Sequence, residues 1–391
     1  MISFEEAQKI INNNIILLDT ENAVLKTSLD RVLAQDVVSD INMPPFDKSA
    51  MDGYAIRSKD LFNELEIIET IKAGDIPQKK IGTNQCSKIM TGALVPEGSD
   101  CVIKVEQTKN ISETKIIFNG KETQPNISYK AEDIKLGEIV LKKGTVVRPQ
   151  ELAILATVGC TNPIVYKLPR IAIMSTGDEI VEPGISPATG KIRNSNAYQL
   201  IGQVQKCGVE PKYLGIIEDT EEATFDKISD ALKRYDVLLL TGGISMGDFD
   251  FVPKVMTKAG VQLYVQTVAM KPGKPTVFGR KDNTFVFCLP GNPVSSFVVF
   301  ELFAKPFIKA MSGHTTDDKF LKLPLKETFN YKISDRLSWV PVKIDDNNEV
   351  IPVTFHGSAH IYALCYAQGF MRVEKGTVQI KQGEMVHVRQ I

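Results

Sequence analysis

The feature that most constrains this fold is a regular alternation of apolar strands and amphipathic helices that begins after Pro169. The run 237–240 has no polar residue, as expected of a strand buried on both faces of a parallel sheet. The alternation predicts a doubly wound open α/β sheet. Its predicted strands are 171–174, 213–217, 237–240, 261–268 and 284–289, and its predicted helices are 195–207, 221–234, 252–259 and 293–311.

The flanking regions follow a different pattern, with short β-type runs separated by glycine and proline. Ser3 and Glu6 fit a capping box and predict a short helix near the N-terminus. The sequence as a whole predicts a multidomain α/β plus β protein in which the C-terminal β domain is small and barrel-like. The predicted parts are a helix and linker or dimerisation region at 1–40 and 138–168, a β-rich domain at 41–137, the α/β domain at 169–312, and a β domain at 313–391.

Length and charge limit the function. The 391 residues allow two to four compact units, and 43% hydrophobic residues provide a core. Lys plus Arg (46) nearly balances Asp plus Glu (47), which disfavours general nucleic-acid binding. Neither a secretory signal nor an apolar run of membrane-spanning length is present in the sequence, so we expect a cytoplasmic protein that does not use a membrane.

The six scattered cysteines contain no C-x-x-C pair and are expected to be buried free thiols. His356 and His360 are four residues apart, but the β pattern and Gly357 around them disfavour a zinc-binding helix.

Ligands bind beyond the carboxyl ends of strands in a doubly wound sheet, so the segments that follow each apolar run are the candidates. These segments are 175–179, 218–219, 241–250 and 289–295. The glycines after Thr241 suit close approach to a phosphate at a helix N-terminus, although an ordinary strand-to-helix turn needs glycine equally. The loop lacks the Lys-Ser/Thr ending of a P-loop.

Five carboxylates fall on the same predicted sheet edge: Asp178, Glu179, Asp219, Asp248 and Asp250. Like charges at 4 Å repel by about 4 kcal/mol at an effective dielectric near 20, so such a cluster needs a cation or raised pKa values. Mg²⁺ suits oxygen ligands beside a phosphate. Helix capping is an equally good interpretation for Asp248 and for Asp250 taken singly.

Lys271 and Lys274 lie between two predicted strands in a segment stiffened by two prolines, 271–275. We call this segment the lysine clamp. A fixed pair of ammonium groups favours an oxyanion ligand over a solvated surface loop. Carboxylates together with this pair indicate metal-assisted phosphoryl or nucleotidyl chemistry. The dense motif 45–55, with Asp47 and Asp52, is compatible with a tight structural turn when it is considered alone.

Six segments together resemble the molybdopterin molybdenumtransferase family, which also includes the C-terminal domain of gephyrin. They occur in the family's order and extend over most of the chain. The segments are 45–55, 90–93 with 96–98 and 102–106, 175–179, 241–247, 271–275 and 289–295.

The resemblance implies an elongated homodimer of four-domain protomers, with a cleft shared between subunits. It implies that adenylylated molybdopterin and molybdate are substrates, that hydrolysis of the phosphoanhydride uses Mg²⁺, and that AMP and molybdenum cofactor are released. It also raises the prospect of a molybdopterin adenylyltransferase docking on the protein.

The resemblance assigns catalytic roles to Asp52, Thr91, Glu179, Asp219 and Asp250, with Glu179, Asp219 and Asp250 as the magnesium ligands. The lysines would bind molybdate or phosphate, and the glycine-rich loops would bind the pterin and its phosphate. The expected substrate-binding residues are Ser175, Thr176, Gly177, Asp178, Thr241, Gly242, Gly243, Ser245, Gly247, Asp248, Lys271, Pro272, Gly273, Lys274, Pro290, Gly291, Asn292, Pro293 and Ser295.

The chain departs from the family pattern in two places. Ser128 and Ala131 replace an expected arginine and glycine, and Val340-Pro341 stands where a second arginine is expected after Arg336. Two alternative functions remain. One is an adenylyltransferase or nucleotide-hydrolysing enzyme on the same fold, which has no need of the motif at 45–55. The other is a non-catalytic scaffold, which would tolerate loss of the carboxylates.

Overall fold

A computed structural model describes residues 1–218, 220–243, 252–315 and 320–391. The chain divides into two compact units. The first contains Met1–Glu21, Asp30–Ala34 and Val165–Ile391, and the second contains Asn22–Leu29 and Gln35–Ile164. The division into four domains stays a prediction.

The first unit is built around a six-stranded sheet. Its elements are β1 (Ile171–Thr176), α1 (Ser195–Gln205), β2 (Lys212–Ile217), α2 (Glu221–Arg234), β3 (Val237–Thr241), α3 (Val252–Lys258), β4 (Gln262–Thr267), β5 (Pro275–Lys281), β6 (Thr284–Leu289), α4 (Pro293–Val299) and α5 (Lys305–Met311). The strand order is β2-β1-β3-β6-β5-β4. Strands β2, β1, β3 and β6 are parallel, and the predicted doubly wound α/β sheet is confirmed.

The sequence did not predict strand β5. In that prediction, no strand lies between the lysine clamp and the strand at 284–289. In the structure β5 pairs antiparallel with both β6 and β4, so one edge of the sheet is antiparallel. Sequence pattern missed the strand because Pro275, Gly279 and the charged end of β5 interrupt its apolar run. The lysine clamp therefore joins the edge strand β4 to its antiparallel neighbour β5.

The predicted long helix 293–311 forms, with an interruption. Helix α4 continues into α5 through a π-helical segment, Phe300–Ala304, and Pro306 is the second residue of α5. Proline inside a helix lacks the amide donor and its ring clashes with the preceding turn, and a π segment accommodates both effects. Phe300, Phe303 and Phe307 on this helix are fully buried and hold it against the sheet.

The N-terminal helix, Phe4–Asn13, begins at Ser3, whose hydroxyl accepts a hydrogen bond from the Glu6 amide at 3.0 Å. The predicted cap is confirmed. Although the sequence groups 1–40 with 138–168, this helix packs in the first unit. Phe4 contacts the rings of Phe303 at 5.2 Å and Trp339 at 5.4 Å.

The C-terminal part of the first unit is a mixed sheet. Its strands in spatial order are Met270–Lys271, Leu337–Ile344, Gly369–Val373, Met385–Gln390 and Leu321–Pro324, and Val350–Pro352 pairs with Leu337–Ile344. Phe329–Asn330 pairs with Gln379–Ile380, and a short 3-10 helix covers Ile361–Tyr366. The strand Met270–Lys271 includes the first residue of the lysine clamp, so backbone pairing fixes the start of the clamp to the C-terminal sheet.

The second unit contains another six-stranded sheet, as predicted for a β-rich region. Its strands in spatial order are Cys101–Lys104, Gly53–Ile56, Gln85–Ile89, Leu65–Ile71, Lys115–Phe118 and Thr108–Asn110. Two small ladders pair Val37–Val38 with Ile139–Leu141 and Lys48–Ser49 with Ile127–Ser128. The unit also has a helix at Pro149–Thr157 and 3-10 turns at Leu25–Thr27, Ser58–Asp60 and Val105–Gln107. The short strands Thr20–Asn22 and Ile164–Tyr166 lie where the chain passes from one unit to the other.

No helix among the described residues is long and apolar enough to cross a bilayer. The expectation of buried thiols holds for Cys86, Cys101, Cys207 and Cys288 but is wrong for Cys365, which is exposed, and Cys160 is half-buried.

Candidate active site

The carboxyl ends of β1, β3 and β6 meet at one edge of the sheet. These strands are neighbours, and the chain leaves β1 toward β2 on one side and later returns to β3 on the other, which makes this a topological switch point. A cavity of 240 Å³ opens here, and we call it the strand-end cavity. Its lining includes residues from three predicted segments: Thr176, Glu179, Thr241, Gly242, Gly291, Asn292 and Pro293.

Two glycines after Thr241 are required by the geometry of the turn. Gly242 and Gly243 have φ of +93° and +64°, in the left-handed region. A Cβ on Gly242 would lie 2.4 Å from the Thr176 carbonyl oxygen, and one on Gly243 would lie 2.6 Å from a Val252 methyl carbon. The predicted close backbone approach is therefore present, between this turn and the end of β1.

Two polar atoms of the strand-end cavity are buried without a hydrogen-bond partner in the described part of the chain: Thr176 Oγ1 and Asn196 Oδ1. An unpaired buried polar group costs about 1–3 kcal/mol, and such groups are expected where a ligand supplies the missing bond. This cavity therefore has the properties of a binding site. Asn196 was not predicted, because a lone asparagine near the start of a helix gives no distinctive sequence signal.

A buried network fixes the start of α1 beside this cavity. Asn194 caps the helix by accepting from the Ala197 amide at 3.2 Å, and its Nδ2 donates to Ser175 Oγ at 3.1 Å and Tyr213 Oη at 2.8 Å. Tyr213 in turn donates to Glu182 Oε1 at 2.6 Å. Burial and this bond raise the pKa of Tyr213, so the phenol stays protonated as a donor. Predicted residue Ser175 does not line the cavity itself but supports Asn194, which does.

Glu179 lies at the rim of the strand-end cavity, and its side chain is exposed. Its carboxylate lies over Gly177, where an added Cβ would be 2.5 Å from Oε2. The carboxylate has no ion pair or hydrogen bond within the described ranges, so its oxygens are available to a cation. Asp178 is exposed next to it, with its backbone carbonyl accepting a hydrogen bond from Lys191.

The other predicted members of this acidic edge lie outside the described residues. They are Asp219, Asp248 and Asp250, and the predicted loop residues Ser245 and Gly247 do too. Among the described residues, no group of three or more His, Cys, Asp or Glu side chains lies close enough together to hold a metal ion. The magnesium set Glu179, Asp219 and Asp250 stays a prediction.

The lysine clamp lines a second cavity, of 310 Å³, which we call the cationic cavity. Lys271 and Lys274 are exposed, and neither ammonium group has an ion pair within the described part of the structure. Gly273 has φ of +107°, and an added Cβ would lie 2.6 Å from a Val299 methyl carbon, so the segment packs tightly on α4. Predicted residues Pro272, Asn292 and Ser295 line the same cavity.

Arg336 adds a third positive charge to the cationic cavity. Its guanidinium donates to the Met270 carbonyl at 3.3 Å and lies 3.4 Å from Asp335. Trp339 also lines this cavity, and its buried indole Nε1 has no hydrogen-bond partner among the described residues. Three cations and an unpaired N–H donor around one cavity suit a small oxyanion.

The two cavities share Asn292, which lines both. Pro293 is the first residue of α4, as predicted. The next residue, Val294, donates its amide to the Ser358 carbonyl at 2.9 Å, and Gly357, Ser358 and Ala359 line one cavity or the other. Predicted residues Pro290 and Gly291 form the turn before Asn292. A ligand with an organic ring and an anionic group can therefore occupy adjacent sites.

The dense motif at 45–55 forms a loop in the second unit. Ser49 is bonded to the turn at 90–93 through both of its backbone groups: its amide donates to the Ala93 carbonyl at 2.9 Å, and its carbonyl accepts from the Gly92 amide at 2.8 Å. Asp47 accepts from the Lys130 amide at 2.7 Å. Two of the segments that carry the family pattern, 45–55 and 90–93, thus meet here.

Asp52 and Thr91 are paired directly in this loop. Asp52 Oδ1 accepts from the Thr91 amide at 2.7 Å and from Thr91 Oγ1 at 2.9 Å. These bonds hold the pKa of Asp52 below its ordinary value. Both side chains are exposed, so the arrangement presents a fixed, ionised carboxylate at the surface of the second unit.

The departures from the family pattern have different structural consequences. Ala131 has φ of +61°, in the left-handed region where glycine is favoured, and Ser128 pairs with Lys48 in a short ladder. Val340 is buried within Leu337–Ile344.

The rings of His356 and His360 stack with their centroids 5.1 Å apart, and His360 Nδ1 accepts a hydrogen bond from the His356 amide at 3.2 Å.

Comparisons with known proteins agree along the whole chain. Three family models match: "MoeA N-terminal region (domain I and II)" at residues 2–159, "Probable molybdopterin binding domain" at 172–310, and "MoeA C-terminal region (domain IV)" at 323–391. A protein of Staphylococcus aureus strain Mu50 named molybdopterin molybdenumtransferase is 33% identical over 98% of this chain and 94% of its own length. One of the same name from Staphylococcus epidermidis is 34% identical over 99% and 95%.

Solved structures agree. The molybdopterin biosynthesis moeA protein of Pyrococcus horikoshii OT3 matches with a TM-score of 0.84 at 29% identity, covering 100% of both chains. A molybdenum cofactor biosynthesis protein from Pyrococcus furiosus, at 20% identity and a TM-score of 0.62, shares the fold.

Proposed function

This chain belongs to the molybdopterin molybdenumtransferase family, and from that premise we propose that it inserts molybdenum from molybdate into adenylylated molybdopterin, releasing AMP and molybdenum cofactor. The observation that carries the proposal is the pair of adjoining cavities in the first unit. One has unpaired polar groups suited to a heterocycle, and the other has Lys271, Lys274 and Arg336.

We assign the strand-end cavity to the pterin end of the substrate. Thr176, Thr241, Gly242 and Gly291 lie within the segment matched by the molybdopterin-binding family model. Polar backbone and side-chain groups converge here at the ends of parallel strands, as they do in ligand sites of other doubly wound sheets.

We assign the cationic cavity to molybdate. A tetrahedral dianion is stabilised by charge-assisted bonds from ammonium and guanidinium groups, and the Trp339 indole N–H offers another donor. Because Asn292 lines both cavities, molybdate held by the lysine clamp would lie beside the bound pterin. Proximity of this kind is the contribution expected of a transferase that joins two bound reactants.

Glu179, Asp219 and Asp250 would hold Mg²⁺, and the exposed carboxylate of Glu179 has the oxygen chemistry this ion prefers. Bound Mg²⁺ would offset the negative charge of the phosphoanhydride during its hydrolysis. Asp52, kept ionised by Thr91, would position water or stabilise positive charge in the same reaction.

We further propose a cytoplasmic homodimer whose cleft takes the Asp52–Thr91 pair from one subunit and the two cavities from the other. An adenylyltransferase docking on this dimer would deliver the labile adenylylated substrate directly. These statements rest on the family relationship.

An adenylyltransferase or hydrolase on the same fold is a weaker alternative, because the family relationship extends through the N-terminal and C-terminal regions as well. A non-catalytic scaffold is the other alternative, and it is disfavoured by the retained Asp52, Glu179 and lysine clamp.

The test measures the molybdate concentration that gives half-maximal AMP release in Lys271→Ala and Lys274→Ala variants. Loss of one charge-assisted bond costs about 1.5–3 kcal/mol, so we expect this concentration to rise about 10- to 100-fold in each. The matched control is Lys322→Ala, an exposed lysine in another strand of the same unit, which should behave as wild type. An unchanged molybdate requirement in both clamp variants would contradict the assignment.

A further inference from the structure

Asn196, at the second position of α1, has its side-chain amide locked in one orientation. Its Nδ2 donates to Thr241 Oγ1 at 2.9 Å and to the Gly291 carbonyl at 2.8 Å. A backbone carbonyl can only accept, so the nitrogen must lie on that side and Oδ1 on the other. The protein thus holds an oxygen acceptor in a fixed place in the wall of the strand-end cavity.

That acceptor is unpaired. Asn196 is 9% exposed, and Oδ1 has no hydrogen-bond partner within the described ranges. The same holds for the hydroxyl of Thr176, which is 3% exposed and lines the same cavity. The two nitrogen bonds explain why the amide is held, but they leave its oxygen without a structural role. A hydrogen-bond donor on a ligand would pair with this oxygen.

The chemistry of the acceptor restricts the ligand group. An amide oxygen repels a phosphate or molybdate oxygen and attracts an N–H or O–H group. The Thr176 hydroxyl can either donate or accept a hydrogen bond. Together, Asn196 Oδ1 and Thr176 Oγ1 therefore match the edge of a heterocycle on which N–H donors and a carbonyl alternate.

We propose that Asn196 Oδ1 accepts a hydrogen bond from the N–H edge of the pterin ring and makes the site selective for a pterin over a pteridine with a carbonyl at that position. The inference rests on the proposed function and deepens it, by naming the residue that recognises the pterin. Adenine in the AMP half of the substrate has an amino group too. The pterin is favoured because Thr176, Asn196, Thr241 and Gly291 all lie within the segment matched by the molybdopterin-binding family model.

The size of the expected selectivity follows from the burial. In 6-hydroxymethyllumazine the 2-amino group of 6-hydroxymethylpterin is replaced by a carbonyl, which places an acceptor against the fixed Oδ1. Losing the bond and leaving the buried oxygen unpaired costs about 1.5–3 kcal/mol, so the pterin should bind about 10- to 100-fold more tightly than the lumazine.

The experiment measures binding of these two fluorescent compounds to the full-length protein by fluorescence anisotropy. Wild type and Asn347→Ala, an exposed asparagine in a distant turn of the same unit, should both show the preference. In Asn196→Ala the pterin should lose at least about 10-fold in affinity while the lumazine changes little, which removes the preference. Urea unfolding of each variant accompanies the titration.

Each outcome decides the proposal. Equal binding of the two compounds by wild type overturns it, and this needs no variant to fold. Retention of the preference in Asn196→Ala also overturns it, as does absence of saturable pterin binding. Competition by AMP that depends on Asn196, without pterin selectivity, assigns the acceptor to adenine and overturns it as well. Pterin selectivity without molybdate-dependent AMP release would support this inference and contradict the proposed function, so the two failures are distinguishable.

Discussion

Gly242 provides a sharp test of how the strand-end cavity is built, because a matched glycine lies opposite it. Substitution with alanine would add a Cβ 2.4 Å from the Thr176 carbonyl oxygen, at φ of +93°. Gly291 lines the same cavity, but its Cβ would meet Gly242 Cα at 3.9 Å, which is an ordinary contact. The two substitutions add the same methyl group to the same site in opposite steric situations.

The expected magnitude follows from two terms. An alanine in the left-handed region costs about 1–2 kcal/mol, and forcing an extra carbon into a packed turn costs about 1–3 kcal/mol. Gly242→Ala should therefore lower the free energy of unfolding by about 2–5 kcal/mol. Gly291→Ala should change it by less than about 1 kcal/mol, since neither term applies.

The assay is urea unfolding followed by tryptophan fluorescence. Trp339 is the single tryptophan in the sequence and is buried in the core of the first unit with Phe4 and Phe303, so its emission reports the unfolding of that unit. Wild-type stability in Gly242→Ala would refute the claim that the turn needs glycine for close approach. An equal loss in Gly291→Ala would show that any added methyl group disrupts this edge, and would refute the steric argument.

Three further predictions concern the second unit and the assembly. Thr91→Val removes one of the two hydrogen bonds to Asp52, so the pKa of that carboxyl should rise toward its ordinary value in a carboxyl ¹³C NMR titration. The stability linked to the lowered pKa is present above the unfolded-state value of 3.8 and is lost as the pH falls through the folded-state value. An unchanged titration in the variant would contradict the role of this bond. Ala131→Gly should raise the free energy of unfolding by about 0.5–1 kcal/mol because it relieves a left-handed alanine, whereas the control Ala73→Gly, without positive φ, should not stabilise in the same denaturation assay. Asp52→Asn and Glu179→Gln should each lower turnover at least about 100-fold. Heterodimers of the two variants, purified through different tags, should recover about half the wild-type AMP release, because one of their two shared clefts is intact. No recovery would contradict a cleft shared between subunits.

The sequence predicted the central sheet well because buried parallel strands leave strong local patterns. The run 237–240 is apolar throughout and is flanked by helices with clear apolar faces, so its place could be inferred without a structure. The glycines at 242 and 243 predicted a tight turn after this strand, but the sequence alone left open whether the turn binds a ligand.

Strand β5 could not be predicted in the same way. Residues 276–279 are buried, but Gly279 and the charged pair Arg280 and Lys281 shorten its apolar run, so the sequence lacks the pattern of a buried strand. Its neighbour β4 was predicted, but the direction of pairing was not, because strand direction depends on how the lysine clamp reverses the chain.

The binding residues divide along similar lines. The lysine clamp was predicted because two lysines and two prolines form a local pattern, whereas Asn196 and Trp339 contribute through atoms that tertiary packing leaves unpaired. Arg336 was noted in the sequence, but its position with the lysine clamp depends on pairing of Met270–Lys271 with Leu337–Ile344. Long-range contacts of this kind have no local sequence signal.

The central claim is that this protein uses molybdate to convert adenylylated molybdopterin into molybdenum cofactor. The most direct measurement incubates the purified protein with adenylylated molybdopterin and Mg²⁺, with and without molybdate, and quantifies AMP and active cofactor together. The account predicts AMP and cofactor in equal amounts, with both dependent on molybdate. AMP release that is absent, or that proceeds equally without molybdate, would contradict it.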